Sequence, residues 1–374
     1  MQKVILIYLG KYGAGPKLTL DFYNEFRKND AVEAGVIISD TNSIKDTYIS
    51  NEGKYNSNNL NILPLGSSAI DLMINFIPFL IEFSKVVLSQ KSSNNKHNAY
   101  LFTMLHPLNF LCMIIVKILD PSGKIFTIVH DANPHPGDRN AILNKLITKF
   151  EINFADYVVT LSTEVADILK RSNKNIKCIT FPHGVFDYGF VSEPRNINRY
   201  NIFKILSIGR VVKYKGYHLL LDAYKILKGL GYKVQLTIAG DGPIYSLINK
   251  KDLDGLNVII DNKYLSDEEI KMHLENTDII ALSYIEASQS GVLALASSKA
   301  LPVVATPVGG LSEQCIAMGN AILSDDVTAE SFADGIKKLL DDKDLYFQLS
   351  KNSIAAQQKI SWREGVDKVL EVCK

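Results

Sequence analysis

The chain has 374 residues, of which 47% are hydrophobic and 22% charged, and its formal net charge is +1. That length and apolar content suit two or three ordinary globular domains with sizeable cores. The near-neutral balance excludes a protein held to nucleic acid or another polyanion by a global positive field. Cys112, Cys178, Cys315 and Cys373 are widely spaced and form no CxxC or Cys/His cluster, so free thiols in a reducing compartment are expected, not a zinc site.

The opening MQKVILIYLG is an apolar run of strand length with no cleavage-like site behind it, so it is expected to be a strand and not a leader. Short β-branched runs then alternate with helical patterns. Strands are expected at 4–9, 34–39, 99–104, 124–129 and 157–161, and again at 204–208, 234–239, 257–260, 279–282 and 302–305. Continuous apolar strands separated by helices imply parallel sheets covered on both faces, joined by right-handed crossovers. Gly10, Gly13 and Gly15 follow the first strand, but their spacing fits GxGxxG badly and Pro16 intervenes. With Asp40 the one acid near the end of the second strand, the dinucleotide signature is weak.

Two apolar stretches, 69–88 and 101–119, approach the length of a membrane span. The first contains Asp71, Glu82 and Lys85, and the second His106, Pro107, Asn109 and Lys117, so buried or surface-lying helices are expected. Helices of that kind can lie in a membrane interface, which keeps a peripheral membrane contact open. A polar run, 89–98, separates the two.

FTIVHDANPHPG ends a buried strand with His130-Asp131, on the ligand side of a parallel sheet. The alternative is a loop histidine satisfied by backbone. His135 and His183 lie in Pro-rich loops and are weaker candidates. Residues 182–200 are polar, carry Pro and Gly, and show no periodicity, as expected of a linker. The organisation inferred is a Rossmann-like domain at 1–185, a linker at 186–200, a second Rossmann-like domain at 200–359, and a helix at 360–374 packing back on the first domain. Ligands would then occupy a cleft between the domains, at the carboxyl ends of the strands.

In the second half, SIGRVVKYKG puts Arg210 and Lys215 on a strand-to-helix loop between Gly209 and Gly216. Two cations five positions apart suit a diphosphate, one as a planar fork and one as a point charge, although loops also carry solvated cations. TIAGDGP places Gly240, Asp241 and Gly242 after another strand, where glycines allow close backbone approach. IEASQSGV sets Glu286 beyond the strand at 279–282, with Ser290 as N-cap and Gly291 and Val292 offering the first helical N–H groups. A helix start of this kind is an anion site, and an isolated buried carboxylate beside it would need a ligand. A sugar diphosphate would satisfy both. SWREGVDKVLEVCK opens with a capping-box pattern, Ser361 and Glu364, and puts Trp362, Val366, Val369 and Leu370 on one helical face.

Gly209-Arg210…Lys215-Gly216, the turn from Ala239 to Pro243, Glu286 with Ser290-Gly291-Val292, and ATPVGGLSE together resemble the retaining, nucleotide-sugar-dependent glycosyltransferases of the GT-B fold, and more narrowly the glycosyltransferase group 1, or family 4, enzymes. The resemblance implies that Arg210 and Lys215 neutralise the departing diphosphate and that Glu286 orients hydroxyls of the donor sugar. It implies that His130, with Asp131 beside it, meets the sugar from the other domain. The donor would be held by Gly209, Gly240, Asp241, Ser290, Gly291 and Val292, and its base by the backbone near Asn262, Lys263 and Tyr264. Gly13, Ala14 and Gly15 would line the cleft toward phosphate or acceptor. The family usually carries a second glutamate eight positions after the first; here Ala294 stands there, which reads as variation and not as loss of activity.

The implied reaction needs no cofactor and no metal: the donor is a substrate, and the two cations supply the charge that magnesium would. The DxD matches, Asp252/Asp254 and Asp342/Asp344, fall in charged, turn-like stretches and read as solvated surface. Expected partners are a nucleotide-sugar donor and a glycan or lipid-linked acceptor, with no nucleic acid. The expected setting is cytoplasmic, at the inner face of a membrane where the acceptor is lipid-linked. Rival readings are a sugar-nucleotide epimerase on the same plan, a catalytically inactive partner subunit suggested by Ala294, and, last, a Rossmann oxidoreductase.

Overall fold

The computed structural model describes residues 1–55, 59–90, 97–133, 141–197 and 202–373. His135, most of the polar run 89–98 and the end of the expected linker lie outside the described residues. The chain divides into two compact units. Among the described residues, the first comprises those within 1–133, 141–181 and 362–373, and the second those within Pro182–Ser361.

In unit 1, β1 (Gln2–Tyr8), α1 (Gly15–Arg27), β2 (Val32–Ser39), α2 (Lys45–Tyr55) and β3 (Leu60–Leu63) come first. Then come α3 (Ala69–Gln90), β4 (Ala99–Phe102), α4 (Asn109–Leu119), β5 (Lys124–Val129), α5 (Ala141–Phe154), β6 (Tyr157–Thr160), α6 (Thr163–Ser172) and β7 (Cys178–Thr180). The strands form one parallel sheet in the order β3-β2-β1-β4-β5-β6-β7. Every side chain of β4 is buried, as covering on both faces demands.

Unit 2 continues with β8 (Phe203–Ile208), a 3-10 turn (Lys213–Lys215), α7 (Tyr217–Gly229), β9 (Val234–Ala239), α8 (Ile244–Leu247), a second 3-10 turn (Lys250–Leu253), β10 (Val258–Asp261), α9 (Asp267–Glu275) and β11 (Ile279–Leu282). It closes with α10 (Gly291–Ser298), β12 (Val303–Ala305), α11 (Gly309–Met318), β13 (Ala321–Leu323), α12 (Ala329–Asp341) and α13 (Lys343–Lys359). Its parallel sheet runs β10-β9-β8-β11-β12-β13. In both sheets the strand order reverses beside the first strand of the unit. Those two switch points, β1/β4 and β8/β11, are where loops part and a ligand can enter.

The ten expected strands are all present, within a few residues of their expected limits. Three further strands, β3, β7 and β13, escape sequence reading. All three are sheet edges of three or four residues, and none is fully buried along its length. A half-exposed edge strand lacks the apolar run that marks an inner one.

The stretch expected as a connector is packed as far as it is described. Val185 N–H bonds Ile360 O at 3.0 Å. The half-buried guanidinium of Arg195 donates to the carbonyls of Lys299 (2.8 Å), Thr277 (2.7 Å) and Leu274 (3.0 Å). Those carbonyls lie at or just beyond the carboxyl ends of α9 and α10, where a cation satisfies orphan acceptors and the helix dipole. The last helix, α14 (Arg363–Glu371), packs against α1 and β7 of unit 1. Trp362 packs against Phe22 with ring centroids 5.3 Å apart, and a Cβ on Gly365 would lie 2.5 Å from the Phe181 ring. The helix takes Trp362, one residue beyond the expected Ser361, as its N-cap residue, with no side-chain cap from Trp362, and Glu364 pairs with Lys368 at 2.7 Å.

Candidate functional site

At the unit 2 switch point, three loops are laced together through backbone. Gly209 N–H bonds Ala239 O at 2.9 Å, Val211 N–H bonds Asp241 O at 2.7 Å, and Ile285 N–H bonds Tyr214 O at 2.7 Å. Two glycines make the approach feasible. A Cβ on Gly240 (φ 141°) would lie 2.1 Å from Gly209 O, and one on Gly216 (φ 63°) would lie 2.1 Å from Ser283 O. The β8, β9 and β11 loops therefore form one rigid rim.

Lys215 sits inside that rim. Its side chain is buried, and Nζ donates to Ile208 O at 3.2 Å and lies 5.3 Å from the Tyr284 ring centroid. Burial, reinforced by the Arg210 guanidinium, pulls its ammonium down to about 7. Arg210 itself is exposed. A Cβ placed on Gly209 would come within 2.9 Å of Lys215 Nζ and 3.5 Å of Val292 Cγ2, so the ammonium, Gly209 and the first turn of α10 converge. This is a desolvated cation beside a helix N-terminus, aimed at the place where an anion would bind.

Ser290 occupies the N-cap position of α10 but does not cap it through its side chain. Its hydroxyl meets Tyr284 OH at 3.2 Å, and its backbone is clamped by Gln314, which accepts from Ser290 N–H at 2.8 Å and donates to Ser290 O at 3.0 Å. Tyr284 and Gln314 thus set the position of the Gly291-Val292 turn, and sequence reading missed both. Gln314 lies within ATPVGGLSE's helix, but no periodicity distinguishes a clamp from a core amide.

Glu286 is exposed, which corrects the expectation of a buried carboxylate. The loop lifts it clear of the strand, one residue beyond the Ile285–Tyr214 bond that ties it to the turn carrying Lys215. Asp241 is exposed, and its carbonyl serves the rim. Lys263 and Tyr264 are exposed on the neighbouring loop. Lys263 pairs with Glu269 at 2.5 Å and with Asp261 at 3.8 Å, while Asn262 Oδ1 accepts from Gly242 N–H at 3.2 Å.

In unit 1, Gly13 (φ 91°) has open space where a Cβ would stand. Ala14 is the N-cap residue of α1, and Gly15 lies so near Tyr8 that a Cβ would approach the ring to 2.4 Å. Thr19 Oγ1 and Thr103 Oγ1 are 2.6 Å apart, and Thr103 O bonds His130 Nε2 at 2.9 Å. This chain ties His130 to the glycine loop across the β1/β4 switch point. Burial lowers the His130 pKa, so the ring is neutral at physiological pH; with Nε2–H donated to Thr103, Nδ1 is the acceptor. Asp131 follows it, half-buried.

Other candidates are spent on structure. Asp40 Oδ1 accepts from the N–H groups of Leu65 (2.9 Å) and Gly66 (3.1 Å), so its carboxylate holds the loop before α3 and is not placed as a ribose acid. His183 is buried, with Nδ1 2.7 Å from Gly184 O. Asp342 caps α13, accepting from Leu345 N–H at 2.9 Å, and Asp252, Asp254 and Asp344 are exposed.

Residues 193–356 match the family model described as "Glycosyl transferases group 1". An uncharacterised glycosyltransferase of Methanocaldococcus jannaschii is 26% identical over 257 residues, covering 66% of this chain and 69% of that relative. A second from the same organism is 27% identical over 234 residues, covering 60% of this chain and 59% of that relative. The capsular polysaccharide biosynthesis glycosyltransferase CapM of Staphylococcus aureus is 27% identical over 154 residues, 40% of each chain. Among solved structures, HepE of Anabaena in complex with UDP and glucose aligns over 100% of both chains with a TM-score of 0.71 at 15% identity. TarM of S. aureus aligns over 100% of this chain and 99% of its own with a TM-score of 0.72 at 13% identity. Two doubly wound α/β units with these likenesses have the GT-B fold.

Proposed function

From the match of residues 193–356 to the group 1 glycosyltransferase model, we infer that this chain transfers a sugar from a nucleoside diphosphate to an acceptor hydroxyl. The observation that carries the reading is the desolvated Lys215 ammonium at the β8/β11 switch point, beside Arg210 and the start of α10. As the glycosidic bond to the diphosphate breaks, negative charge grows on the leaving oxygen and the anomeric carbon gains oxocarbenium character. Two cations and the N–H groups of Gly291 and Val292, fixed before the reaction begins, stabilise that charge without reorganising.

Glu286 would grip hydroxyls of the donor sugar from its exposed position on the same rim, and the backbone near Asn262, Lys263 and Tyr264 would meet the base. His130, neutral with Nδ1 as acceptor, would contact the sugar hydroxyls. The anomeric configuration would be retained, the leaving phosphate taking the acceptor's proton, and no metal or cofactor enters. A lipid-linked or glycan acceptor in cell-surface polysaccharide or glycolipid assembly, met at the cytoplasmic face of a membrane, completes the proposal. CapM's name and the UDP in the HepE complex support it by analogy.

The test is turnover of a panel of UDP-, GDP- and ADP-sugars, with binding of the free diphosphates measured by calorimetry. One nucleotide should bind and its sugar should be consumed. Arg210→Ala and Lys215→Ala should each weaken diphosphate binding by at least tenfold, one charge-assisted contact being worth about 1.5–3 kcal/mol. Glu286→Gln should spare diphosphate binding and lower turnover about a hundredfold. Wild-type turnover unchanged by all three substitutions would defeat the reading. Free isomerised sugar nucleotide without an acceptor product would favour an epimerase, and full biological activity of the Glu286 variant an inactive partner subunit.

A further inference from the structure

Helices α3, α4 and α5 form a layer on unit 1, with α4 packed against both neighbours. On α3, Phe79, Phe83 and Val87 are fully buried in the core. A second apolar stripe faces outward. Ile70, Met73, Ile74, Ile77, Ile81 and Leu88 are between 49% and 81% exposed, and their spacing places them on one side of the helix. On α5, Ile142, Leu143, Leu146 and Phe150 are between 49% and 81% exposed. The Phe150 ring packs against Phe110 of α4 with centroids 5.3 Å apart and planes tilted by 46°, which joins the faces of α4 and α5. An exposed apolar surface of this extent is unusual for a monomer in water and marks a contact.

The charges identify the occupant. Lys145 and Lys149 stand exposed one turn apart beside the α5 stripe, while the one acid on α5, Glu151, is buried and bonded to Thr127 and Asn109. The acids of α3 are engaged: Asp71 accepts from the N–H groups of Ser67 and Ser68, and Glu82 pairs with Lys85. A second copy docked on this face would bring the two lysines to a surface with no uncommitted carboxylate on either helix. Although α3 is long and apolar enough to cross a membrane, its opposite face belongs to the core of unit 1, so it cannot leave the layer to span.

We propose that the outer face of α3 and α5 docks on a lipid bilayer bearing anionic headgroups. The helices lie along the interface, their aliphatic side chains enter the boundary between headgroups and acyl chains, and Lys145 and Lys149 meet lipid phosphates. This deepens the membrane contact included above and rests on that part of the reading, not on the chemistry at Lys215.

Flotation of the full chain with vesicles tests it, using phosphatidylcholine with phosphatidylglycerol against phosphatidylcholine alone. The chain should float with the anionic vesicles and be released by salt. Ile74→Asp/Ile77→Asp should lower partitioning at least tenfold. Lys145→Gln/Lys149→Gln should lower it roughly tenfold or more and flatten the salt dependence. Both pairs alter exposed side chains, so unchanged melting curves separate lost docking from lost folding. Binding of UDP, GDP and ADP is measured on the same samples: vesicle binding with none of the three nucleotides bound would sink the reaction and leave the docking face standing. A wild-type chain that ignores both vesicles, variants that partition like wild type, or a dimer in sedimentation that Ile74→Asp/Ile77→Asp dissolves would overturn the proposal.

Discussion

Lys215 combines burial with a charge that the site needs, and the two requirements pull against each other. In the free protein its pKa lies near 7, well under its value in an unfolded chain. A bound diphosphate would restore the ammonium and draw in a proton. Diphosphate affinity, measured by calorimetry between pH 6 and 9, should therefore be highest at the acid end and fall as pH rises past about 7, approaching tenfold per pH unit. The stability of the free protein should run the other way. An unfolded chain binds this proton more tightly than the folded one, so the lysine's contribution improves from pH 7 towards 10. Lys215→Met should abolish both trends. The sequence pointed to this lysine, as it did to Arg210, Glu286 and Ser290, because motifs are local. Exposure is not local: nothing around Glu286 tells that the loop lifts it into solvent, or that Tyr284 takes the Ser290 hydroxyl away from the helix it was expected to cap.

At the scale of elements, inner strands were legible because full burial leaves an unbroken apolar run; of the four edges only β10, with its Val-Ile-Ile run, was legible, and β3, β7 and β13 were not. The chain preceding β8 shows the same limit. Read as composition, 182–200 is a polar connector. In the fold Arg195 joins the ends of two helices, a role written in the positions of three carbonyls far away in sequence. Arg195→Lys should destabilise unit 2 by about 2–3 kcal/mol, because an ammonium cannot reproduce a planar fork reaching three acceptors. Urea unfolding followed by far-ultraviolet circular dichroism would measure it, and an unchanged midpoint would refute the bridging role.

At the scale of the whole molecule, the two parallel sheets followed from the strand–helix alternation, and the switch points follow from strand order, which no local pattern encodes. The return of the chain to unit 1 has as its largest contact the buried Trp362 against Phe22, beside Gly365 against Phe181 and the buried Val366 and Val369. Trp362→Ala should cost unit 1 about 3–5 kcal/mol and lower its unfolding midpoint while sparing binding of whichever nucleoside diphosphate the wild type takes, read by calorimetry on the same protein. Equal loss of both would mean that the anchor serves the binding site as well.

That return has a consequence for biosynthesis. The ribosome delivers the sheet of unit 1 first, yet the helix that covers Phe22 and Phe181 emerges only after the whole of unit 2 has been translated. The nascent amino-terminal half must wait with an uncovered aromatic patch, a natural target for chaperones that hold emerging chains.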